Sequence, residues 1–403
     1  MTRSLLIKSI SFFSLLILLA ACKEKKAIPP TRQSEILKEK STLLYVGTYT
    51  RKEGHVNGTA SGIYICSFDS TTGKLTIKDS IPNTINPSYL TIHPNGKYLY
   101  AVNEIAGNGN PPIGTVSAFA LDEKGQSAKK LNIVQAVGDA PCHISIDASG
   151  KYELVASYMG SIAAFPIQPD GSLGEASSSI IHSLANPRGG RQEAPHAHMI
   201  QPGIDENTVF VVDLGMDKVL HYQLAAGNLK EIARTDLAAG AGGRHLEFHP
   251  SQKRVYVLNE LNQTIEVFSY NDPATPFERV QTITTLDKPI EKGNIGTSAI
   301  HIHPSGKFLY AANRGIQGNE EQSIAMYTID SESGLLTFLG VAPTKGLVPR
   351  DFAISPDGQY LLAANQNSDN IITFRINQQT GTLVDTGLSQ VVNTPVCLKF
   401  FVR

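Results

Sequence analysis

The chain has 403 residues, of which 41% are hydrophobic, with 34 Gly and 22 Pro, enough to bury a large core and to exclude a disordered chain or a disulfide-stapled mini-protein. Its 35 Lys and Arg balance 36 Asp and Glu to a formal charge of -1, which excludes the positive field that binding to nucleic acid needs. The cysteines at 22, 66, 142 and 397 are too widely spaced for a thiolate metal site, and the sequence contains no phosphate-loop or His-Glu-x-x-His motif, so we expect no metal and no cofactor.

The N-terminus predicts export and lipid anchoring. Arg3 and Lys8 precede an apolar run over 10–21, which has the length of a signal-peptide core and is too short for a membrane-spanning helix. The run closes on LLAAC, which resembles the bacterial lipoprotein cleavage box, in which the Cys becomes the lipid-bearing first residue. We therefore predict a signal peptide with a lipidated Cys22, and a mature protein held on the membrane by that lipid alone, facing the periplasm or the cell exterior. An ordinary signal peptide is the alternative.

The segment that follows is predicted to be a flexible tether. Residues 23–42 are mostly Lys, Glu, Pro and Gln and show no apolar periodicity. The folded domain is expected over 43–403.

A repeated phrase predicts the fold of that domain. YLTIHPNGKYLYAVN at 89–103 returns as AIHIHPSGKFLYAAN at 299–313, and each copy reads as a strand, a Pro-x-Gly turn and a second strand. Degenerate copies lie at 143–157, 197–213, 245–259 and 351–365. The copies recur every 48 to 54 residues, the period of four-stranded propeller blades.

The two ends of the chain supply a seventh copy between them. Residues 397–402 resemble the first strand of the hairpin, and residues 43–48 resemble the second. Pairing these strands would close the ring and hide both of its edges. We predict an all-β, seven-bladed propeller, with Cys66, Cys142 and Cys397 as buried thiols.

Comparing equivalent positions between blades separates structural residues from candidates for function. The Pro-x-Gly turns lie at one face, so the other ends of the strands form a rim at the opposite face. The position after the second strand is occupied by Tyr49, Glu104, Tyr158, Leu214, Glu260, Arg314 and Gln366. The position that opens the first strand is occupied by Ser88, Cys142, His196, Arg244, Ser298, Arg350 and Val396. In this alignment His198 lies in an otherwise apolar column, whereas the turn histidines His93, His249 and His303 share a column and are expected to be structural.

The rim thus brings together four residues from three successive blades: His196, Arg244, Glu260 and Arg314. Two guanidiniums beside a carboxylate and an imidazole suit an anionic substrate and acid-base chemistry. Weaker candidates for binding substrate in the same neighbourhood are His143, His198, His245, Glu104 and Arg350. The alternative is a set of solvated rim charges without a function.

At these residues the sequence resembles the bacterial seven-bladed propeller lactonases, which include 6-phosphogluconolactonases and 3-carboxymuconate lactonizing enzymes. The resemblance covers the domain from Leu44 onward. Its motifs are RQEAPHAH at 191–198, DLGMD at 213–217, RHLEFHP at 244–250, YVLNE at 256–260, PRDFAISPDG at 349–358, AANQNSDN at 363–370 and TPVCLKF at 394–400. One motif departs, because residues 316–322 interrupt the family pattern NRGxDSI.

The resemblance implies that His196, Arg244, Glu260 and Arg314 correspond to the His, Arg, Glu and Arg proposed for the family's active site. It implies a hydrolase of the 6-phosphogluconolactonase type that acts on an anionic sugar-acid or related lactone. Glu260 or His196 could be the base, Arg244 could stabilise the oxyanion, and Arg314 is left for a remote substrate anion. A lactonizing cycloisomerase that acts on a muconate-like diacid and a non-catalytic propeller that binds a glycan or a protein remain as alternatives.

Overall fold

The computed structural model describes residues 41–107, 113–288, 295–315 and 322–402. The predicted signal peptide, Cys22 and nearly all of the tether lie outside the described residues, as does most of the interruption at 316–322. The first strand begins at Ser41, slightly before the predicted start at Leu43. In the described parts of the chain, no helix has the length and apolar character needed to cross a membrane.

The described residues form seven four-stranded antiparallel sheets, numbered here as blades 1 to 7. In strand order, blade 1 consists of Tyr89–Ile92, Tyr98–Asn103, Thr115–Leu121 and Ala128–Gln135. Blade 2 consists of Pro141–Ile146, Tyr152–Ser157, Ser161–Pro166 and Ser178–Ile181. Blade 3 consists of Ala197–Pro202, Thr208–Asp213, Lys218–Ala225 and Asn228–Asp236. Blade 4 consists of Gly243–Phe248, Arg254–Asn259, Thr264–Ser269 and Glu278–Thr284. Blade 5 consists of Ile295–Ile302, Phe308–Gly315, Ser323–Ile329 and Leu336–Pro343. Blade 6 consists of Pro349–Ile354, Tyr360–Asn365, Asn370–Ile376 and Leu383–Val391.

Blade 7 joins the two ends of the chain, as predicted. Its strands, in order across the sheet, are Pro395–Phe401, Ser41–Thr48, Gly62–Asp69 and Leu75–Pro82. In the closing pair, Leu44 lies opposite Phe400 and Val46 lies opposite Leu398. The first strands of successive blades contact one another around the whole ring, which places them at the centre of the disc. The prediction of a closed seven-bladed propeller is therefore confirmed.

Apolar residues from adjacent blades form the core, and hydrogen bonds at the turn face join the blades. One buried cluster combines Val46 and Leu398 of blade 7 with Leu362 of blade 6. Each turn histidine contacts the carbonyl of the turn glycine in the next blade, at 2.9 to 3.0 Å: His93 with Gly150, His249 with Gly306 and His303 with Gly358. The structural interpretation of these histidines is confirmed, and so is the burial of Cys66, Cys142 and Cys397 as free thiols.

Two short elements stand outside the blades at the rim. A small hairpin pairs Lys52–Glu53 with Val56–Asn57. A single 3₁₀ turn, Gln366–Ser368, follows the second strand of blade 6.

Strand register corrects the predicted alignment of blade 3. Ile200 pairs with Val211 as Leu246 of blade 4 pairs with Val257, so Ile200, and not His198, occupies the apolar column. His198 lies in the bulge of its strand, as Arg244 does in blade 4.

The cause of this error is the turn of blade 3. There the first strand continues through Pro202, whereas the strand of blade 4 ends at Phe248, before Pro250. Aligning the two prolines therefore shifted the first strand of blade 3 by two residues. As a consequence, His196 lies just before its strand, which begins at Ala197, and His198 takes the position equivalent to that of Arg244.

Candidate active site

Glu260 is the centre of a buried cluster of charges at the rim. It directly follows the second strand of blade 4, and its side chain is 2% exposed. Its Oε1 lies 2.9 Å from Nη2 of Arg314 and 3.0 Å from Nη1 of Arg191, and its Oε2 lies 3.1 Å from Nε of Arg244. A Cβ on Gly296 would stand 3.1 Å from Cγ of Glu260, so a glycine there leaves room for this side chain.

The guanidiniums determine the charge state of this carboxylate. Burial alone would raise the pKa of Glu260, but Arg314, Arg191 and Arg244 outweigh burial and hold that pKa well below its usual range. Burial, together with Arg314, lowers the pKa of Arg244 to about 9, which leaves its guanidinium protonated at neutral pH. The cluster is thus a carboxylate anion among cations.

Arg244 is tied into the protein beyond its contact with Glu260. Its Nη1 donates to the carbonyl of Ser298 and lies 3.2 Å from Nε2 of His245. Arg314 is more open, because its side chain is 13% exposed whereas that of Arg244 is 3% exposed. Of these two arginines, Arg314 is better placed to meet a ligand.

His196 belongs to a second cluster that Arg191 joins to the first. The imidazole stacks on the ring of Tyr158, with centroids 4.3 Å apart and planes 14° apart. Nδ1 of His196 lies 2.8 Å from the carbonyl oxygen of Tyr158, and Nε2 lies 3.2 Å from Oε1 of Glu193. Arg191 donates from Nε to the hydroxyl of Tyr158 at 2.7 Å while its Nη1 donates to Glu260.

A third group, of neutral histidines, lies beside Arg244 on the innermost strands. The ring of His245 is 5.5 Å from that of His198 and 5.7 Å from that of His143. Burial, and then nearby cations that include Arg244, lower the pKa of all three histidines well below the usual value. They are therefore uncharged near neutral pH, and we expect them to shape the floor of the site and not to bind an anion by charge.

The remaining weak candidates, Glu104 and Arg350, lie together on the other side of the rim. Nη2 of Arg350 is 3.9 Å from Oε1 of Glu104, and its guanidinium lies 5.5 Å from the ring centroid of Tyr49. Tyr49 donates from its hydroxyl to Glu104 at 2.8 Å. Arg350 also interacts electrostatically with Glu260, so this group adjoins the main cluster.

The structure brings Arg244 and Arg314 into direct contact with Glu260, and it connects His196 to Glu260 through two residues, Tyr158 and Arg191. Residues that the sequence reasoning did not single out are Tyr158, Arg191, Glu193 and Tyr49. Two signals were available, because Tyr49 and Tyr158 share the rim column of Glu260, and Arg191 and Glu193 lie in the motif at 191–198. A repeat cannot place a loop that only one blade carries, and Arg191 lies on such a loop.

No group of three or more His, Cys, Asp or Glu side chains within the described ranges is arranged to hold a metal ion. The described side chains of the clusters at this rim supply imidazole, carboxylate, phenol and guanidinium groups.

Comparison with known proteins identifies relatives over the whole propeller. The family described as "Lactonase, 7-bladed beta-propeller" matches residues 43–400. A 6-phosphogluconolactonase of Bacillus subtilis is 34% identical over 88% of this chain and 97% of its own length. A 6-phosphogluconolactonase of Formosa agariphila is 32% identical over 89% of this chain and 99% of its own length.

A solved structure of a further lactonase is also similar to this chain. The periplasmic gluconolactonase of Pseudomonas aeruginosa superposes with a TM-score of 0.80 at 31% sequence identity, and the match covers 89% of this chain and 99% of that one.

Proposed function

Because this chain belongs to the seven-bladed β-propeller lactonase family, we propose that it hydrolyses the lactone of an anionic sugar acid, in the manner of a 6-phosphogluconolactonase and without a metal ion. The observation that carries the proposal is the position of Arg191. Its hydrogen bonds to Tyr158 and Glu260 connect the cluster of His196 to a carboxylate that is surrounded by guanidiniums. Lactone hydrolysis needs a base for water, donors for the oxyanion and a proton for the departing alkoxide.

We assign the base to His196. The oxygens of Tyr158 and Glu193 both only accept hydrogen bonds; the backbone carbonyl keeps a proton on Nδ1, so Nε2 is the nitrogen that takes up and releases a proton during the reaction. Once Nε2 takes a proton, Glu193 can accept a hydrogen bond from it and stabilise the imidazolium. Glu260 is the weaker proton acceptor, because three guanidiniums lower its pKa.

Glu260 then acts by holding the guanidiniums in position. Arg244 is anchored by Glu260 and by the carbonyl of Ser298, so we assign the contacts with substrate to the more exposed Arg314 and Arg191. A guanidinium can donate two parallel hydrogen bonds to a carboxylate or phosphate, and it can equally donate to an oxyanion. Arg350, beside Glu104, is available for a more distant anion.

In the proposed reaction His196 acts first as the base and then as the acid. Nε2 of His196 removes a proton from water as the water oxygen bonds to the lactone carbonyl carbon. The carbonyl electron pair moves onto oxygen, where Arg314 and Arg191 stabilise the negative charge. When the intermediate collapses, the ring C–O bond breaks and the departing alkoxide takes the proton from Nε2 of His196. The product is the open hydroxy acid.

Activity of the purified full chain in detergent tests the proposal. Acid release from 6-phosphoglucono-δ-lactone and glucono-δ-lactone is followed at neutral pH and corrected for spontaneous opening. We expect acceleration that survives incubation with EDTA and is lost in His196→Gln. If no lactone is opened faster than with the His196→Gln protein, the hydrolase proposal is wrong. If EDTA abolishes the rate and a divalent metal restores it, the metal-independent mechanism is wrong.

We also propose that the enzyme is a lipoprotein anchored at Cys22 that works outside the cytoplasm. The apolar run ending in LLAAC motivates this proposal, and the periplasmic location in the name of the Pseudomonas relative supports it. Cys22→Ser should release soluble protein or leave an unprocessed precursor, as judged by membrane fractionation and by labelling with a radioactive fatty acid. A Cys22→Ser protein that is processed, labelled with fatty acid and fractionated as the unmodified protein is would contradict lipid anchoring at Cys22.

A further inference from the structure

The rim between blades 6 and 7 contains a cavity of about 450 Å³ that the proposed mechanism does not use. The small hairpin that carries His55 and Asn57 forms one wall, and the 3₁₀ turn that carries Gln366 and Asn367 forms the other. Its volume falls in the range of pockets that bind small molecules, about 300–1,000 Å³.

The repeat places this cavity beside the proposed active site. Gln366 directly follows the second strand of blade 6, the position that Glu260 holds in blade 4. The rim column therefore runs from Glu260 through Arg314 to Gln366 in successive blades, and the next blade contributes Tyr49. A ligand that extends along the rim from Arg314 would reach Gln366 next.

Side-chain contacts connect the cavity to the charged cluster. Nε2 of His55 lies 3.2 Å from the hydroxyl of Tyr49 and 3.7 Å from Oε1 of Glu104. Glu104 in turn lies beside Arg350. His55, whose side chain is 46% exposed, thus connects the cavity with Tyr49 and Glu104.

Gln366 supplies an unmet hydrogen-bonding group. It is 4% exposed, and its Nε2 donates to Oδ1 of Asn367 at 2.8 Å, whereas its Oε1 has no hydrogen-bond partner among the described residues. Protein atoms enclose Oε1, so a ligand hydroxyl reaches it only when the amide of Gln366 turns toward the cavity. A buried polar atom without a partner is unfavourable, so the hydrogen bond formed then would favour binding.

The cavity differs in chemistry from the cluster around Glu260. The lining includes one cation, Lys52, and two carboxylates, Glu53 and Asp369. Burial lowers the pKa of His55, so the walls carry more acidic than basic groups at neutral pH. Amide and hydroxyl groups make up most of the rest, from Asn57, Thr59, Gln366, Asn367 and Thr394. Such walls disfavour an anion and match a ligand that is rich in hydroxyl groups.

We propose that this cavity is a subsite for an uncharged sugar unit attached to the lactone, so that the preferred substrate is the lactone of an oligosaccharide acid. This inference rests on the proposed function. The arginines bind the acid end, and Gln366 and its neighbours bind hydroxyl groups of the appended sugar.

Equilibrium binding tests the subsite without requiring turnover. Gluconate and lactobionate carry the same carboxylate, and lactobionate adds one galactosyl unit. By titration calorimetry on the full chain, we expect lactobionate to bind at least about 10-fold more tightly than gluconate. Gln366→Leu should remove that difference and leave gluconate affinity within about two-fold. Equal affinity for the two aldonates in the unmodified protein would overturn the subsite.

Two further variants guard against an effect of misfolding. Asn57→Ala, at an exposed wall position, should weaken lactobionate binding selectively, by about three-fold or more, even if Gln366→Leu is unstable. Gln379→Leu, on an exposed loop that follows the third strand of blade 6, should bind both aldonates as the unmodified protein does. An equal loss of gluconate and lactobionate binding in Asn57→Ala would also overturn the proposal.

Kinetics then separate failure of the subsite from failure of the proposed function. We expect a higher kcat/KM for lactobiono-δ-lactone than for glucono-δ-lactone, and a ratio near one in Gln366→Leu. If neither lactone is hydrolysed but lactobionate still binds selectively, the hydrolase proposal is wrong and the subsite is supported. If both are hydrolysed with equal kcat/KM in the unmodified protein, the hydrolase is supported and the subsite is wrong.

Discussion

The two halves of the proposed active site are built in different ways. Arg244, Glu260 and Arg314 are carried by strands or by the residue next to a strand, and their side chains are 13% exposed or less. Arg191 and Glu193 are carried by the loop before blade 3, and their side chains are 45% and 56% exposed. This loop also ends at His196. In the proposed mechanism the strand-borne half supplies a fixed field and one substrate contact, Arg314, and the loop-borne half supplies the base His196 and the second substrate contact, Arg191.

The largest expected effect is on turnover in the loop-borne half. His196→Gln removes the proposed base and should lower kcat by about 10³-fold, within the usual range for a positioned acid-base group, with a smaller change in KM. Steady-state kinetics on 6-phosphoglucono-δ-lactone measure this effect. His93→Gln, at the opposite face, is the matched control and should keep full activity. A His196→Gln protein with normal kcat would remove the catalytic role of His196.

The next effect tests whether the strand-borne half is a fixed array of charges. Glu260→Gln leaves Arg191, Arg244 and Arg314 without their carboxylate, and breaking a buried ion pair costs about 3–5 kcal/mol. We expect a clear fall in the free energy of unfolding in urea and a fall in kcat/KM of about 10²-fold or more.

A second buried glutamate provides the control for Glu260→Gln. Glu153 is fully buried, both of its carboxylate oxygens lack hydrogen-bond partners within the described residues, and burial, reinforced by Asp147, raises its pKa well above the usual value. Burial thus disfavours the charged form of Glu153, and Glu153→Gln removes no hydrogen bond or ion pair found among the described residues, so it should change stability by less than about 1 kcal/mol. Equal destabilisation by the two substitutions would contradict the fixed-charge description.

A smaller effect should follow from removing the side chain of Arg191, which connects the two halves. Arg191→Ala removes an exposed guanidinium, so stability should change by less than about 1 kcal/mol. KM for 6-phosphoglucono-δ-lactone should rise about 10-fold, with a smaller loss in kcat, because a cation for the substrate is lost. A purely structural role for Arg191 would instead lower the melting temperature and leave KM unchanged.

The smallest expected effect is a loss of folding stability in acid that arises from the three buried histidines beside Arg244. Burial, and then nearby cations, place the pKa of His143, His198 and His245 below that of an unfolded histidine, about 6.5. The unfolded chain therefore binds more protons, and these residues reduce stability as the pH falls below about 6.5. His143→Gln should recover about 1 kcal/mol of the stability lost between pH 7.5 and 5.5, measured by urea unfolding at both pH values. An unchanged pH dependence would contradict the neutral state of His143.

The strand-borne residues could be predicted from the sequence better than the loop-borne ones, for a physical reason. Glu260 and Arg314 could be predicted because a strand end recurs in each blade, and a residue that departs from its column stands out. His198 was misplaced because Pro202 is the last residue of the first strand of blade 3, whereas Pro250 of blade 4 lies in the turn, so alignment on the prolines shifted the register. Arg191 and Glu193 were not singled out, because their loop has no counterpart in the other blades to compare with.

The sequence by itself determined the propeller, its closure by the two chain ends and the rim that carries Arg244, Glu260 and Arg314. It could do so because strand periodicity and turn chemistry are local and repeat along the chain. Only the tertiary structure decided that three guanidiniums share Glu260, that a carbonyl orients His196 and that Gln366 faces the same rim with an unpaired amide oxygen. Those properties depend on distances between side chains that are far apart in sequence, and on burial that changes their pKa values, and neither is encoded in any single stretch of the chain.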